Sequence, residues 1–539
     1  MKIFWRISYN VVTVFCLVGL TGASGPTGRI KDIELRIGIV QRFGDEPTEK
    51  LQLEPTKGDR LRFTFREGNQ QQTLVSAKPV KLEVMMQPLT QAVLQERVVL
   101  GVYRTYETAE DSARNWRARG IDVEIAQPER WEIWANREVY KTPLLRRLLL
   151  QSVRADGYKT AFIDTKILQQ VPIVSWEVDG KRYTQKNLEI SSDKDLIRVN
   201  ASSKPENMRL YAGQMEVQPN AYGSYTLVNE VPLETYLRGV VPYEIGTSAP
   251  DAAIEAQAII ARTYALRNLH RFEIDEYQLC ADTHCQVYYG LSGAAAKTDR
   301  AIAATEGMVL TYQNKLVDAL YSSTTGGVTA SFSDVWNGED RPYLQPLLDA
   351  PNHSLWNLSE LSLTDENNFQ KFINLKQGFN ESTKDLFRWR RETSLDKITR
   401  DLQKFLKVKK SPFAKFKTLK GMEVVERSSS GRILKLAVKT DIGTFTLQKD
   451  EVRSAFAAPI STLFYLQPLN KGKPGYLWGY AFVGGGFGHG VGLSQIGAQN
   501  LAKLGWSSQK ILQFYYPGTK LQILNNELKP ATLVQNSDS

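Results

Sequence analysis

The sequence has few cysteines, few histidines and only one strongly apolar run. Three cysteines and four histidines occur in 539 residues, and the apolar run covers residues 11–20. A membrane-spanning helix needs about 20 apolar residues, so this run is short for a span, and no other stretch is apolar enough to cross a membrane. No serine, histidine and aspartate occur in an order that fits a catalytic triad.

The glycine-rich stretch 484–492 lacks the features of a nucleotide-binding loop. It has neither the GK[ST] ending nor the required spacing, which excludes phosphate binding of that kind. Because glycine has no side chain, we expect these residues to let the backbone approach a substrate or a neighbouring strand closely.

The N-terminus predicts export. Lys2 and Arg6 precede the apolar run, and small residues follow it at positions 21–23. This order is typical of a secretory signal. We therefore predict a signal peptide over residues 1–25, or alternatively an uncleaved anchor, with the protein in the periplasm or cell wall. Membrane attachment is expected only through this segment, and Cys16 would leave with a cleaved signal.

The composition is that of folded protein with a basic surface. Hydrophobic residues make up 42% and charged residues 23%, and the formal net charge is +10. The length suits two to four domains, at about 150 residues per domain. A positive surplus suits an anionic partner such as wall polymers. Lysine and arginine are scattered, and no segment resembles a nucleic-acid-binding module, so we expect no nucleic-acid partner.

Hydrophobic periodicity predicts a multidomain α+β protein. Residues 26–78 alternate apolar and polar positions and are predicted to form short strands. Residues 79–137 show two strands, at 81–89 and 98–106, then a helix and a hairpin, which predicts a small α+β domain, and residues 138–197 are predicted to form a connecting α/β segment. From residue 198 strands dominate, until Ser248 caps a predicted helix with Asp251 as its capping-box partner.

Five sequence segments follow one another in the second half of the chain. They are YLRGVVPYE at 236–244, ARTYAL at 261–266, CADTHCQVYYG at 280–290, STTGG at 323–327 and GFGHGVGLSQIGA at 486–498. Together they resemble the SpoIID/LytB family of bacterial cell-wall proteins. The resemblance implies a mostly β SpoIID-type domain with a few helices, formed by residues 198–361 and 470–524. Residues 362–469 would then be an insertion, and 525–539 a polar tail.

The segment 79–137 resembles a SPOR-like repeat, a small fold that binds bare glycan strands. The resemblance rests on its strand–helix–strand pattern and on the aromatic residues Tyr103, Trp116, Trp131 and Trp134. Stacking of sugars on these rings would require them to be exposed. The alternative is an ordinary α+β domain whose aromatic residues form its core.

The family resemblance nominates Glu244 as the catalytic residue of a peptidoglycan lytic transglycosylase. Such an enzyme cleaves the bond between N-acetylmuramic acid and N-acetylglucosamine in glycan strands without stem peptides. One carboxylic acid suffices, because it protonates the leaving oxygen and then accepts the proton of the muramic acid C6 hydroxyl. Burial among apolar neighbours would raise the pKa of Glu244 as this role requires.

Other interpretations of Glu244 and of the whole protein remain open. Glu244 could cap the helix that begins near Ser248, where the helix dipole would favour its charged form. LytB-named relatives stimulate an amidase, so the protein could instead be a non-catalytic amidase enhancer. It could also be a wall-binding scaffold that activates an N-acetylmuramoyl-L-alanine amidase. Glycan strands are the expected partner in each case, with a cell-wall amidase as a second one.

Six further residues in or beside the motifs are candidates for substrate binding. They are Arg262, Tyr264, Tyr321, Ser323, His489 and Gln495. An arginine can hold the lactyl carboxylate of muramic acid or position Glu244, tyrosines can stack on sugar rings, and a histidine can hydrogen-bond the glycan. The alternatives are an ion pair between Arg262 and an acid such as Glu255, core positions for the tyrosines and a packed structural histidine.

Cys280, His284 and Cys285 form a C-x3-H-C cluster, to which His270 could add a fourth ligand. Thiolates and imidazole are the ligands of zinc, and the resemblance includes SpoIID relatives with zinc at this motif. The alternative is a disulfide between the two cysteines, which suits an exported protein. Because histidine is scarce and His284 adjoins Cys285, we predict a structural zinc ion, which the expected reaction does not need.

Overall fold

The computed structural model describes residues 33–46, 48–202, 204–470, 477–525 and 528. The predicted signal peptide or anchor over 1–25 lies outside these residues, as does the predicted polar tail apart from positions 525 and 528. The described chain is a mixed α+β protein with several sheets, as predicted. None of its described helices combines the length and the apolar character needed to span a membrane.

The first part of the described chain consists mainly of strands. Before residue 233 the strands are β1 Glu34–Phe43, β2 Lys50–Pro55, β3 Leu61–Glu67, β4 Gln70–Ser76, β5 Val80–Tyr103, β6 Val123–Ala126, β7 Trp131–Ala135, β8 Phe162–Val178, β9 Lys181–Gln185, β10 Leu188–Ser192, β11 Leu196–Asn200, β12 Arg209–Ala212, β13 Gln214–Pro219 and β14 Tyr225–Pro232. The helices here are α1 Tyr106–Ala118 and α2 Pro143–Ala155.

Side-chain alternation explains how these strands build the core. In β3, Leu61, Phe63 and Phe65 are buried and the residues between them are not, as expected for a sheet with one covered face. One sheet has the strand order β1-β14-β13-β10-β3-β4, and a second has the order β12-β11-β2-β5-β7-β6. The rings of Phe65 and Trp176 meet edge to face with centroids 5.3 Å apart, which joins the two sheets.

The first sheet combines strands from both sides of the predicted boundary at residue 198. Strand β1 pairs with β14 in antiparallel register from Glu34 opposite Pro232 to Phe43 opposite Tyr225. Strand β10 pairs with β3 on one side and β13 on the other. Residues 26–78 and 138–197 therefore share a sheet with the predicted SpoIID-type part and do not form separate layers.

The segment 79–137 has the predicted helix, α1, and hairpin, β6 and β7, but the two predicted strands form one continuous strand, β5. Its tryptophans are buried, however: Trp116, Trp131 and Trp134 are 4%, 1% and 0% exposed. Trp131 packs on Phe272 with ring centroids 5.2 Å apart. Trp116 packs on Tyr158 and Trp134 on Tyr222. The expectation of exposed sugar-binding tryptophans is wrong, because these rings pack against other parts of the chain.

The central part of the chain is helical. Its elements are α3 Leu233–Arg238, α4 Val241–Glu244, α5 Asp251–Arg267, β15 Leu279–Cys280, α6 Ala296–Ala304, β16 Met308–Tyr312, β17 Lys315–Leu316 and β18 Tyr321–Ser322. Helix α5 is almost completely buried from Ala253 to Leu266. It starts after Pro250 without a side-chain cap, so the predicted capping box of Ser248 and Asp251 is not formed.

The remaining elements include the predicted insertion. They are α7 Glu366–Asn374, β19 Arg388–Ser394, α8 Leu395–Val408, β20 Leu419–Arg427, β21 Ile433–Thr440, β22 Gly443–Gln448, α9 Asp450–Ser454, β23 Phe464–Asn470, β24 Leu477–Gly485, β25 Leu493–Ser494, α10 Gln495–Lys503, α11 Ser508–Tyr515 and β26 Lys520–Ile523. Strands β19 and β23 flank β24, which leads into the GFGHG segment. The predicted insertion thus supports that motif directly.

Candidate active site

Glu244 is the last residue of the short helix α4. The residues before it, Val241 and Pro242, are buried and fix the helix on the core. The Glu244 side chain is half-buried. Its Oε1 accepts a hydrogen bond from the backbone N–H of Val287 at 2.9 Å, and its Oε2 accepts one from Gln495 Nε2 at 3.3 Å. These donors come from two distant motifs, which brings the predicted residues 244 and 495 together.

Burial raises the pKa of Glu244 above its ordinary value, as the sequence predicted. Three hydrogen bonds oppose this effect, from the backbone of Val287 and from the side chains of Tyr321 and Gln495. These donors stabilise the charged carboxylate, whereas desolvation stabilises the neutral acid. The carboxyl makes these bonds and not a capping bond to helix α5, so the capping alternative is wrong.

A polar network extends from Glu244 into the core. The Tyr321 hydroxyl accepts a hydrogen bond from Gln286 Nε2 at 3.1 Å, and Gln286 Oε1 accepts one from the Tyr236 hydroxyl at 3.3 Å. Tyr321 thus lies at the site, as predicted. Sequence reasoning missed Gln286 and Val287, although both lie inside CADTHCQVYYG, where a glutamine between apolar and aromatic residues was the available indication.

The motifs STTGG and GFGHGVGLSQIGA lie side by side. Strand β18 pairs in parallel with β25, with Tyr321 opposite Leu493, and the Ser323 carbonyl accepts the N–H of Ile496 at 3.2 Å. Ser323 is therefore held near the site by its backbone. This pairing sets the position of Tyr321 relative to Gln495.

His489 lies behind Tyr321 and not against Glu244. Its Nδ1 accepts the backbone N–H of Val491 at 3.1 Å, and its ring is 5.0 Å from that of Trp336. Burial lowers the pKa of His489 to about 3, with a further contribution from the positive Arg453, while a hydrogen bond to the Tyr321 backbone opposes this. His489 is thus a neutral residue that supports the strand carrying Tyr321.

Two predicted substrate-binding residues are in the core. Arg262 is fully buried and forms a double ion pair with Glu234, with Nε–Oε1 and Nη2–Oε2 both at 2.7 Å. Tyr264 is 5% exposed. The substrate-binding prediction for both is wrong, and the predicted alternative of an ion pair holds for Arg262 with Glu234 in place of Glu255.

The structure contains the disulfide alternative at the cysteine motif. Cys280 and Cys285 are bonded to each other, the His284 backbone N–H donates to Asp282, and His270 Nε2 lies 2.9 Å from Glu110 Oε1. Sulfur atoms in a disulfide are not thiolate ligands, so the donor set does not fit zinc. No cluster suited to a metal ion occurs within the described residues. The disulfide instead braces the loop that presents residues 286 and 287.

Thiol titration tests this pairing. We expect a Cys16→Ser variant, unfolded without reductant, to show no free thiol, and two thiols after reduction, because Cys280 and Cys285 are then the only cysteines. Metal analysis of the same protein before unfolding is the companion measurement. Two free thiols together with bound zinc would support the predicted zinc site in place of the disulfide.

The glycines of GFGHG allow close backbone approach, as predicted. Gly490 has a φ of +75°, and a Cβ atom there would lie 2.0 Å from Arg432 Nη2. Arg432 belongs to the predicted insertion, is fully buried and donates to the Thr325 carbonyl at 2.7 Å. A residue with a side chain at position 490 would displace this arginine from the STTGG loop.

Two buried acids, Glu381 and Asp349, contact the STTGG loop. Glu381 accepts the backbone N–H groups of Thr325, Gly326 and Gly327 at 2.6, 2.8 and 3.2 Å, and the Ser494 hydroxyl at 2.5 Å. The Thr325 hydroxyl oxygen lies 3.0 Å from Glu381 Oε1 and 2.9 Å from Asp349 Oδ2. Both acids are fully buried. Sequence reasoning missed them because they belong to none of the five motifs.

Comparisons with known proteins match the motif-bearing region. A family model described as "Stage II sporulation protein" matches residues 221–312, and a domain of unknown function, DUF8618, matches residues 330–492. The first range contains Glu244, Gln286 and Val287. The second contains Glu381 and residues 486–490, GFGHG.

Several curated proteins are similar to this chain. The amidase enhancer of Bacillus subtilis (strain 168) is 29% identical over 404 residues, which are 67% of this chain but only 53% of that protein. Stage II sporulation protein D of the same organism is 24% identical over 357 residues, or 62% of this chain and 88% of the relative. An uncharacterized protein of Brachyspira hyodysenteriae is 25% identical over 313 residues, 56% of this chain and 71% of its own length.

Proposed function

Since the chain belongs to the SpoIID/LytB family, we propose that it is an exported lytic transglycosylase that cleaves denuded peptidoglycan glycan strands, with Glu244 as acid and base. The observation that carries the proposal is the environment of Glu244. The carboxyl is half-buried, its pKa is raised by desolvation, and donors from two motifs surround it. A structural carboxylate needs no raised pKa, whereas a proton donor at neutral pH does.

The proposed reaction uses this one carboxyl twice. Oε1 accepts the Val287 N–H at 2.9 Å and Oε2 the Gln495 amide at 3.3 Å, so we assign the proton to Oε2, which has the longer bond. Glu244 gives this proton to the glycosidic oxygen as the bond from that oxygen to C1 of the muramic acid breaks. The muramic acid C6 hydroxyl oxygen then bonds to C1, and its proton returns to Glu244. The products are an anhydro-muramic end and a new N-acetylglucosamine end, and no water is consumed.

The bonds around Glu244 suit both halves of this cycle. Tyr321 and Gln495 stabilise the charged carboxylate that exists after proton donation, while burial favours the protonated form that begins and ends the cycle. Neither form is therefore held so strongly that the other becomes inaccessible. The Gln286 amide keeps the Tyr321 hydroxyl in place.

The second candidate function is enhancement of a cell-wall amidase. It is favoured by the name of the amidase enhancer to which this chain is similar. Under this proposal the protein binds glycan and a partner amidase, and Glu244 contributes to binding alone. The two candidates make different predictions for the products formed when no amidase is present.

The test is digestion of amidase-treated glycan strands by the purified protein alone, followed by mass spectrometry. Anhydro-muramic ends, which are lighter by one water than reducing ends, support the transglycosylase. Absence of new ends, together with a faster rate of an added N-acetylmuramoyl-L-alanine amidase on intact wall, would overturn it in favour of the enhancer.

Replacing Gln495 should shift the pH dependence of cleavage. Gln495 stabilises the charged form of Glu244, so Gln495→Met raises the pKa of Glu244 further. The acid then stays protonated to higher pH, and the fall in rate on the alkaline side should move upward. The matched control is Gln499→Met on the same helix, because Gln499 contacts the Ile245 carbonyl and not the carboxyl. An unmoved profile for Gln495→Met would contradict this role.

A further inference from the structure

An arginine on strand β12 lies beside the candidate active site and was not among the predicted site residues. The Arg209 guanidinium carbon is 3.5 Å from the centroid of the Tyr289 ring. Tyr289 in turn meets Tyr243 edge to face, with centroids 4.9 Å apart. Tyr243 is 37% exposed and directly precedes Glu244. The three side chains thus contact one another in a row, and the last of them, Tyr243, is the sequence neighbour of Glu244.

Glycines bring the three backbone segments of this row together. A Cβ on Gly290 would lie 2.2 Å from the Leu210 carbonyl oxygen, and one on Gly293 would lie 2.5 Å from the Tyr243 ring. The Leu210 N–H also donates to Ser292 Oγ at 2.9 Å. Residues 287–293 are therefore packed between β12 and α4, and the same stretch that gives an N–H to Glu244 carries Tyr289.

The guanidinium of Arg209 is available for an anion. It forms no ion pair with any carboxylate in the part of the chain that the structure describes, and its hydrogen bond goes to the Tyr211 hydroxyl. Stacking on Tyr289 occupies a face of the guanidinium and leaves most of its in-plane N–H groups free. Such a stacked arginine is oriented in advance for two parallel hydrogen bonds to a carboxylate.

We infer that Arg209 binds the free lactyl carboxylate of a muramic acid residue while Tyr243 and Tyr289 contact the sugar, so that the site selects strands without stem peptides. The inference rests on the proposed action on glycan strands. A strand bearing stem peptides has an amide in place of this carboxylate, and therefore offers Arg209 no carboxylate at the lactyl position. The role predicted for Arg262, which is buried against Glu234, thus falls to a different arginine.

Binding measurements with matched glycans test the inference. In a Glu244→Gln background that prevents cleavage, calorimetry is done with a denuded muramic acid-containing oligosaccharide and with an N-acetylglucosamine oligosaccharide of equal length, which has no carboxylate. Arg209→Gln should weaken the first interaction about ten- to a hundredfold, as for loss of a charge-assisted hydrogen bond, and leave the second unchanged. Arg198→Gln is the control, because Arg198 is exposed on the neighbouring strand β11.

The outcomes separate this inference from the proposed function. Equal weakening of both glycans, or of neither, overturns the role of Arg209 and leaves the glycan-binding proposal intact. If the unsubstituted Arg209 protein binds neither glycan, the proposed function fails and the inference fails with it. Should Arg209→Gln not fold, Arg209→Lys serves instead, since an ammonium group cannot make the paired planar hydrogen bonds and should give the same selective loss.

Discussion

Glu244→Gln is expected to abolish formation of anhydro-muramic ends from denuded glycan strands, with a loss of about a hundred- to ten-thousandfold. The amide has nearly the shape of the acid, and its oxygen can still accept the Val287 N–H. It has no proton that it can give to a glycosidic oxygen. The fold should therefore persist while the first step of the reaction fails. Mass spectrometry of the digest is the measurement.

A second carboxyl-to-amide change shows whether the effect is specific. Glu255 lies on helix α5 and accepts the Ser508 hydroxyl at 2.8 Å, so Glu255→Gln keeps its contact and should retain full activity. Thermal unfolding of both variants checks their folding. Anhydro ends made by Glu244→Gln at the rate of the unsubstituted protein would show that another group supplies the proton.

Glu381→Ala is expected to destabilise the protein by at least about 3 kcal/mol, because it leaves several buried donors without an acceptor. Three backbone N–H groups and the Ser494 hydroxyl depend on this carboxylate. Asp349→Asn should cost less than about 1 kcal/mol. Urea unfolding of the two variants is the measurement, and equal losses of unfolding free energy would contradict the expected difference between them.

The different losses expected for Glu381→Ala and Asp349→Asn follow from the number of protons available to the two acids. The single hydroxyl proton of Thr325 cannot serve both acids. Because burial and the neighbouring Glu381 raise the pKa of Asp349, this acid carries a proton of its own, which it can direct to the threonine oxygen. Its other oxygen accepts Asn380 Nδ2 and the Tyr515 hydroxyl, each at 2.8 Å. An asparagine amide at position 349 can make the same donor and acceptor bonds as the protonated acid. Alanine at position 381 replaces none of the hydrogen bonds that Glu381 accepts.

The free energy of unfolding should depend on pH differently in the unsubstituted protein and in the Asp349→Asn variant. Burial and the neighbouring Glu381 raise the pKa of Asp349 from 3.8 to about 8. Between these values the folded protein holds a proton that the unfolded chain has released, so the free energy of unfolding falls as pH rises through this window. Asp349→Asn lacks this dependence. Relative to the variant, the unsubstituted protein should lose stability between pH 4 and 8.

Sequence patterns predicted the elements of this protein better than their pairing. Alternation identified strands such as β3, because burial of one face requires it. It could not predict that β1 pairs with β14, because pairing between distant strands depends on contacts that no local pattern records. The tryptophans of residues 79–137 were misjudged for a related reason. A ring that packs against a distant helix and a ring that faces solvent look identical in the sequence.

Sequence motifs identified some residues of the candidate site and missed others. Glu244 and Gln495 were identified from their motifs, and the structure brings them together. The Val287 N–H was missed because every residue except proline has such a donor. Arg262 was misassigned because the sequence does not distinguish an arginine that binds a ligand from one that pairs with an acid of the same chain. Its partner Glu234 lies 28 residues earlier.

The contact between Glu244 and Gln495 joins positions 251 residues apart, and this separation has a consequence for biosynthesis. A chain that emerges amino end first has made its acidic residue long before it has made β25 and α10. Until those last elements fold, the carboxyl lacks Gln495 and the strand that aligns Tyr321. Under the proposed function, an unfinished or truncated product would therefore not cleave the wall of the cell that makes it, because the site is complete only when the final part of the chain has folded.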